Sequence, residues 1–189
     1  MAPVAPADDT QVALLRGVNV GPAKRVAMAD LRTLVADLGY GEVRTLLNSG
    51  NVVYSAPGVA PAEAAVRIEA ALAGRLGVSS RVVALTVAEL TEAVAVEPFA
   101  GVAVNSSRLL VAVAADAATL AAFAPLAARD WGDEALALGR RVAYLWCPAG
   151  VVASRLWAAV NAALRDGVTS RNWATMVRLS ALAAADGLR

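Results

Sequence analysis

VRTLLNSGNVVYS, residues 43–55, decides the fold. Two short apolar runs, Val43 to Leu47 and Val52 to Ser55, flank Asn48-Ser49-Gly50-Asn51. That arrangement reads as two strands joined by a turn. Upstream, Met28 to Leu38 has the period of a helix: Leu31, Leu34, Val35 and Leu38 fall on one face and Gly39 stops it. Before the helix, Val12 to Leu15 reads as a strand that ends at Arg16-Gly17. Downstream, Pro61 opens a helix striped by Ala65, Ile68, Leu72 and Leu76, and Gly77 closes it. Arg81 to Leu85 is a further strand. The order strand, helix, strand, strand, helix, strand is that of a ferredoxin-like unit, with one four-stranded antiparallel sheet and two helices on one face.

The rest of the chain repeats this order more loosely. Thr86 and Glu89 match a capping box ahead of a short helix with Val87, Leu90 and Val94 on one face. Leu109 to Ala114 is a strand, and Asp116 caps a helix that Pro125 ends or kinks. Ala135 to Leu138 and Val142 to Trp146 are strands around Gly139-Arg140-Arg141. Ser154 to Arg165 is a helix closed by Gly167. No final strand is evident. TSRNW (169–173) leads straight into a last helix with Trp173, Met176, Val177 and Ser180 on one face. The expected class is α+β: two ferredoxin-like halves from an internal duplication, at 11–85 and 107–189, with an extra C-terminal helix. Residues 86–106 form the connector, and the Pro-, Ala- and Asp-rich residues 1–10 a disordered tail.

Composition closes off much chemistry. Hydrophobic residues make up 58% of 189 and mean hydropathy is +0.57, so a core is easily built, much of it from Ala. The longest stretch without a charge, Thr45 to Ala62, is broken by the turn and by Pro57 and Pro61, so no membrane span is expected. The first ten residues have no basic and apolar regions of a secretory signal, which leaves the cytoplasm as the expected location. There is no His, which removes Ser-His and Cys-His catalysis and His-bound metals. One cysteine, Cys147, lies in the apolar run YLWCP and reads as a buried thiol. No metal site and no cofactor is implied.

Three polar segments stand out. LLRGVNVGPAKR (14–25) matches neither GxxxxGK[ST] nor GxGxxG. It nevertheless places a Gly-Asn-Gly loop between a strand and a helix amino terminus, where backbone amides favour an anion. Arg16, Lys24 and Arg25 would add charge. The competing reading is a plain connector in which Asn19 satisfies its own turn amides. The matching link in the second half, Ala115-Asp116, carries no Gly, Asn or basic residue, so the first is richer than topology requires. The second segment is the turn Asn48–Asn51, first of all a hairpin turn. The third is TSRNW, in which Thr169 or Ser170 would cap the last helix and place Arg171 and Asn172 in its first turn.

LLRGVNVGPAKR, the helix beginning MADL, the turn NSGNV and the terminal TSRNW together resemble a bacterial family catalogued as domain of unknown function 1697. The resemblance extends over nearly the whole chain. It rests on Arg16, Gly17, Asn19, Gly21, Ser49, Gly50, Asn51, Arg171, Asn172 and Trp173. It implies two ferredoxin-like units and supplies no reaction. Asn48 stands where the family has Gln, and Pro22 where it has a second Gly or a polar residue.

The favoured function is binding of a small anionic ligand, a nucleotide or phosphorylated metabolite, in a cleft shared by the three segments. Its ligand-binding residues would be Arg16, Gly17, Asn19, Gly21, Lys24, Ser49, Gly50, Asn51, Arg171 and Asn172. Asp30, Asp37 and Glu42 form no paired-carboxylate motif, so no catalytic residue is named and enzyme activity stays open. One alternative is an interaction protein or homodimeric scaffold using Trp131, Trp146 and Trp157, which read otherwise as core. A nucleic-acid module is the other. Net charge of +1, no aromatic in QVALLRGVNV and only Tyr54 in NVVYS argue against it.

Overall fold

The hairpin expected at 43–55 is present as β2 (Gly41–Leu46) and β3 (Asn51–Ser55), joined by the turn 47–50. The structure, a computed structural model, describes residues 9–20 and 24–185. Residues 1–8 of the expected tail, and Gly21 and Pro22 of the first polar loop, lie outside the described residues. The chain divides into two units, Met1–Leu90 with Leu179–Arg189, and Thr91–Arg178.

In the first unit, β1 (Thr10–Leu15), α1 (Met28–Asp37), β2, β3, α2 (Pro61–Leu76) and β4 (Val82–Thr86) follow in the expected order. The sheet order is β2-β3-β1-β4, antiparallel throughout. Val12 is the hub, paired with Val53 on one side and Leu85 on the other. Period-2 alternation sends Ala13, Leu15, Val52, Tyr54 and Ala84 to the face covered by Leu31, Leu34 and Val35 of α1 and Ile68 and Leu72 of α2. Each such Leu or Ile, once buried, contributes about 1.5–3 kcal/mol. The alternate residues Val12, Leu14, Val53 and Leu85 are fully buried too.

The helix ends follow local chemistry. Pro61 occupies the first turn of α2. Gly77, at φ 64°, turns the chain left-handed, so its own amide and that of Val78 return to the Leu72 carbonyl. Inside the core, Tyr54 stacks on Tyr40 at 5.1 Å and donates its hydroxyl to Gln11 Oε1 at 3.1 Å. Gln11 Nε2 in turn donates to the Val59 carbonyl, so the buried amide and phenol satisfy each other.

α3 (Val87–Ala95) opens with the expected capping box: Glu89 N–H donates to Thr86 Oγ1 and Thr86 N–H to Glu89 Oε2. The second unit continues through β5 (Leu109–Ala114), α4 (Ala117–Ala121), α5 (Ala124–Ala127), β6 (Ala135–Leu138), β7 (Val142–Trp146), α6 (Arg155–Leu164) and β8 (Val168–Asn172), and α7 (Trp173–Ala184) begins in it. Pro125 sits in the first turn of α5, where it separates that helix from α4. Asp116 and Ser154 cap α4 and α6 by accepting from Thr119 N–H and Trp157 N–H. Trp131 and Trp146 are buried, and Trp157 packs partly buried against the core that holds Trp131.

The expectations for the C-terminal segment are corrected. The second unit does have a final strand: β8 pairs antiparallel with β5, from Leu110 opposite Asn172 to Ala114 opposite Val168. The sheet order, β6-β7-β5-β8, therefore matches that of the first unit. Polar Thr169, Ser170, Arg171 and Asn172 conceal the strand because an edge strand can be held by ladder bonds without an apolar run. Thr169 and Ser170 accordingly do not cap α7. Asn172 does, accepting from Thr175 N–H at 2.9 Å, and Arg171 lies in the strand rather than in the helical turn.

Candidate functional site

The first polar loop starts where β1 runs out. Leu15 N–H donates to the Gly50 carbonyl and Arg16 N–H to the Arg81 carbonyl, each at 2.8 Å. Ser80 Oγ donates to the Arg16 carbonyl at 3.0 Å. The exit of β1 is thus fixed from both sides, by the residues just ahead of β3 and β4. Gly17 then takes φ 66°, with nothing within 4 Å of where a Cβ would stand, so backbone conformation is what asks for glycine there.

Asn19 closes the loop. Its Oδ1 accepts from Val26 N–H at 2.9 Å, and its Nδ2 donates to the Val26 carbonyl at 2.8 Å and to the Asn48 carbonyl at 2.7 Å. Its backbone N–H donates to the Lys24 carbonyl at 3.0 Å. Asn19 and Lys24 both adopt positive φ, 56° and 54°. Asn tolerates this conformation through its short polar side chain; for Lys the left-handed region costs about 1–2 kcal/mol.

The hairpin turn docks against the loop. Leu47 and Gly50 have φ of 58° and 72°. A Cβ on Gly50 would stand 2.6 Å from Val18 Cγ2 and 2.7 Å from Leu15 Cβ, so only glycine lets turn and loop approach this closely. Asn51 is fully buried, and its Nδ2 donates to the Leu46 carbonyl at 2.9 Å and to Ser49 Oγ at 3.0 Å. Within the first unit the structure therefore joins two of the three predicted segments.

The joined surface is basic. Arg16 is partly exposed, Lys24 and Arg25 are exposed, and among the described residues Lys24 and Arg25 form no ion pair. Arg81, by contrast, is compensated by Glu69 at 2.9 Å, whose second oxygen accepts from Val82 N–H. Exposed Val20 and Leu47 add apolar surface on the two touching segments. Loop amides held by left-handed residues and flanked by cations suit an anion. Among the described residues no group of three or more Cys, Asp or Glu comes together that would hold a metal.

The third segment belongs to the second unit. Arg171 Nη1 donates to the Ser170 carbonyl at 2.8 Å and to Thr169 Oγ1 at 3.3 Å, and burial pushes its guanidinium down to about 10. Asn172 uses its side-chain oxygen as the α7 cap. Cys147 is fully buried, and that burial pushes its thiol up, away from a nucleophile's range. Two features escaped the sequence reading: the anchoring hydroxyl of Ser80 and the left-handed Leu47. Nothing local to a Leu announces positive φ.

The chain belongs to the family described as protein of unknown function, DUF1697, whose model matches residues 9–144. Of the three polar segments, the first two lie inside that stretch, and TSRNW lies beyond it. The chain is similar in structure to a conserved bacterial protein, SP0830, from Streptococcus pneumoniae. The TM-score is 0.71 at 18% identity, over 92% of this chain and 97% of that one. That likeness shows the fold. No curated protein matches the chain.

Proposed function

We propose that this member of the family binds a small anionic ligand, a nucleotide or a phosphorylated metabolite, where the loop 16–25 meets the turn 47–50. One observation carries the reading. Lys24 is held in a strained left-handed conformation, exposed and, among the described residues, without an ion pair, in a loop fastened by Asn19. Strain kept in a surface loop points to a functional site, because a connector alone would relax it. The second unit supports the contrast: its corresponding link is Ala115-Asp116, between the ends of β5 and α4. The shared strand order of the two units supports an origin by duplication, with the richer loop present in the first copy.

Gly17, Asn19, Ser49, Gly50 and Asn51 shape the site, and Arg16, Lys24 and Arg25 provide charge. Binding is proposed, and no reaction is assigned to it. Full burial of Tyr54, the one aromatic that NVVYS offers a stacked base, favours a small ligand over nucleic acid.

The test is a thermal-shift screen against nucleotides and phosphorylated metabolites, run beside Lys24→Gly and Arg25→Ala. A ligand at about 100 times its Kd adds roughly 2.7 kcal/mol of stability. Lys24→Gly is expected to leave the free protein as stable or slightly more so, since glycine relieves the positive φ, while the ligand-induced shift falls. A panel without a hit, or a hit indifferent to both substitutions, overturns the reading.

A further inference from the structure

A cavity of about 260 Å³ lies in the second unit, lined by residues between Glu97 and Ser106, by Leu109 at the start of β5 and by Trp173 at the start of α7. Its volume is just below the roughly 300–1,000 Å³ of small-molecule pockets, so it suits a compact ligand.

Its walls are set by local bonds. Val102 N–H and Ala103 N–H both donate to the Phe99 carbonyl at 2.9 Å, and Ala100 N–H donates to the Glu97 carbonyl at 3.3 Å. Gly101, at φ 78°, makes the reversal between them. Trp173 follows directly on the cap Asn172, and its ring lies 6.3 Å from that of Tyr144, whose hydroxyl donates to the Ala93 carbonyl.

The lining has one sign of charge. Phe99, Val104, Leu109 and Trp173 supply apolar and aromatic surface, and among the described residues Glu97 is the one ionisable lining residue and no cation joins it. Among the described residues Glu97 forms no ion pair. Aromatic rings attract cations through their negative faces, and a nearby carboxylate adds a full charge. A single carboxylate cannot replace the hydration shell of an inorganic divalent ion, which needs six or so oxygens. An organic cation with an apolar body meets both demands. We infer that this cavity is a second binding site, for a small methylated ammonium, with Glu97 as counter-ion and Trp173 and Phe99 as aromatic walls.

The inference is independent of the anion site and is tested on the full chain. Choline is titrated calorimetrically against its uncharged carbon isostere, 3,3-dimethylbutan-1-ol, at constant ionic strength, and the indole N–H resonances are followed by NMR. Choline is expected to bind with a shift of the Trp173 indole, assigned through Trp173→Phe, and to bind roughly tenfold more tightly than the isostere. Glu97→Gln, at an exposed position, narrows that preference while the melting curve stays in place. Absence of choline binding at millimolar concentration, equal binding of the two compounds, or an unchanged preference in Glu97→Gln each overturns it. The choline–isostere comparison needs no variant, so misfolding cannot blur it.

Discussion

Asn19 and Val26 exchange two hydrogen bonds as opposed residues in an antiparallel strand pair do, yet Asn19 contributes its side chain and Val26 its backbone. The side-chain amide imitates a peptide group and closes the loop without a ladder. The same Nδ2 reaches the Asn48 carbonyl, so one residue fixes the loop and ties it to the hairpin turn.

Asn19→Ala should therefore lower stability by about 2–4 kcal/mol, from three lost bonds and the partly buried Val26 N–H left without its acceptor. Urea unfolding checks this, with a lower midpoint at an unchanged slope. Asn19→Asp should fall nearly as far, because a carboxylate accepts from Val26 N–H but cannot donate to the Val26 and Asn48 carbonyls.

Two glycines with like dihedrals should respond very differently. Gly17→Ala meets no neighbour and carries only the left-handed penalty, about 1–2 kcal/mol. Gly50→Ala must also drive a methyl into Val18 and Leu15, with an expected loss of at least about 3 kcal/mol or failure to fold. Parallel denaturation of the two variants measures the difference. Equal losses would mean that the turn and loop separate readily.

Alkaline pH should destabilise the protein. Burial holds the Cys147 thiol and the Tyr54 phenol above their ordinary values of 9.0 and 10.0. In the unfolded chain both ionise first, so the unfolded state binds fewer protons as pH rises and stability falls. The contribution is fully present below pH 9 and is lost progressively above it. Melting temperatures between pH 7 and 11 read this out, and Cys147→Ala and Tyr54→Phe should each flatten the decline.

Elements governed by local chemistry were legible in the sequence. Pro61 and Gly77 bracket α2, Thr86 and Glu89 cap α3, and the run Val142–Trp146 is a strand because its residues fit nothing else so well. β8 was not legible, since Val168–Asn172 is a strand by virtue of β5, which precedes it by some 60 residues. The site divides the same way. An Asn between glycines announces a turn, but the bond from Asn19 to Asn48 spans 29 residues and no spacing rule contains it. Nor does anything in the letters around Gly50 reveal that Val18 occupies the space a side chain would need.

β8 is the last strand of its sheet to leave the ribosome, 54 residues after its partner: Ala114 pairs with Val168. At about 5–20 residues per second, the matching edge of β5 stands bare for roughly 3–10 s. That edge reads Leu-Leu-Val-Ala-Val-Ala, the kind of apolar template on which strands of other chains assemble. A nascent chain held at this point, or a message cut short ahead of Val168, presents it without its cover. The polar VTSRN strand thus covers the apolar edge of the strand that it completes.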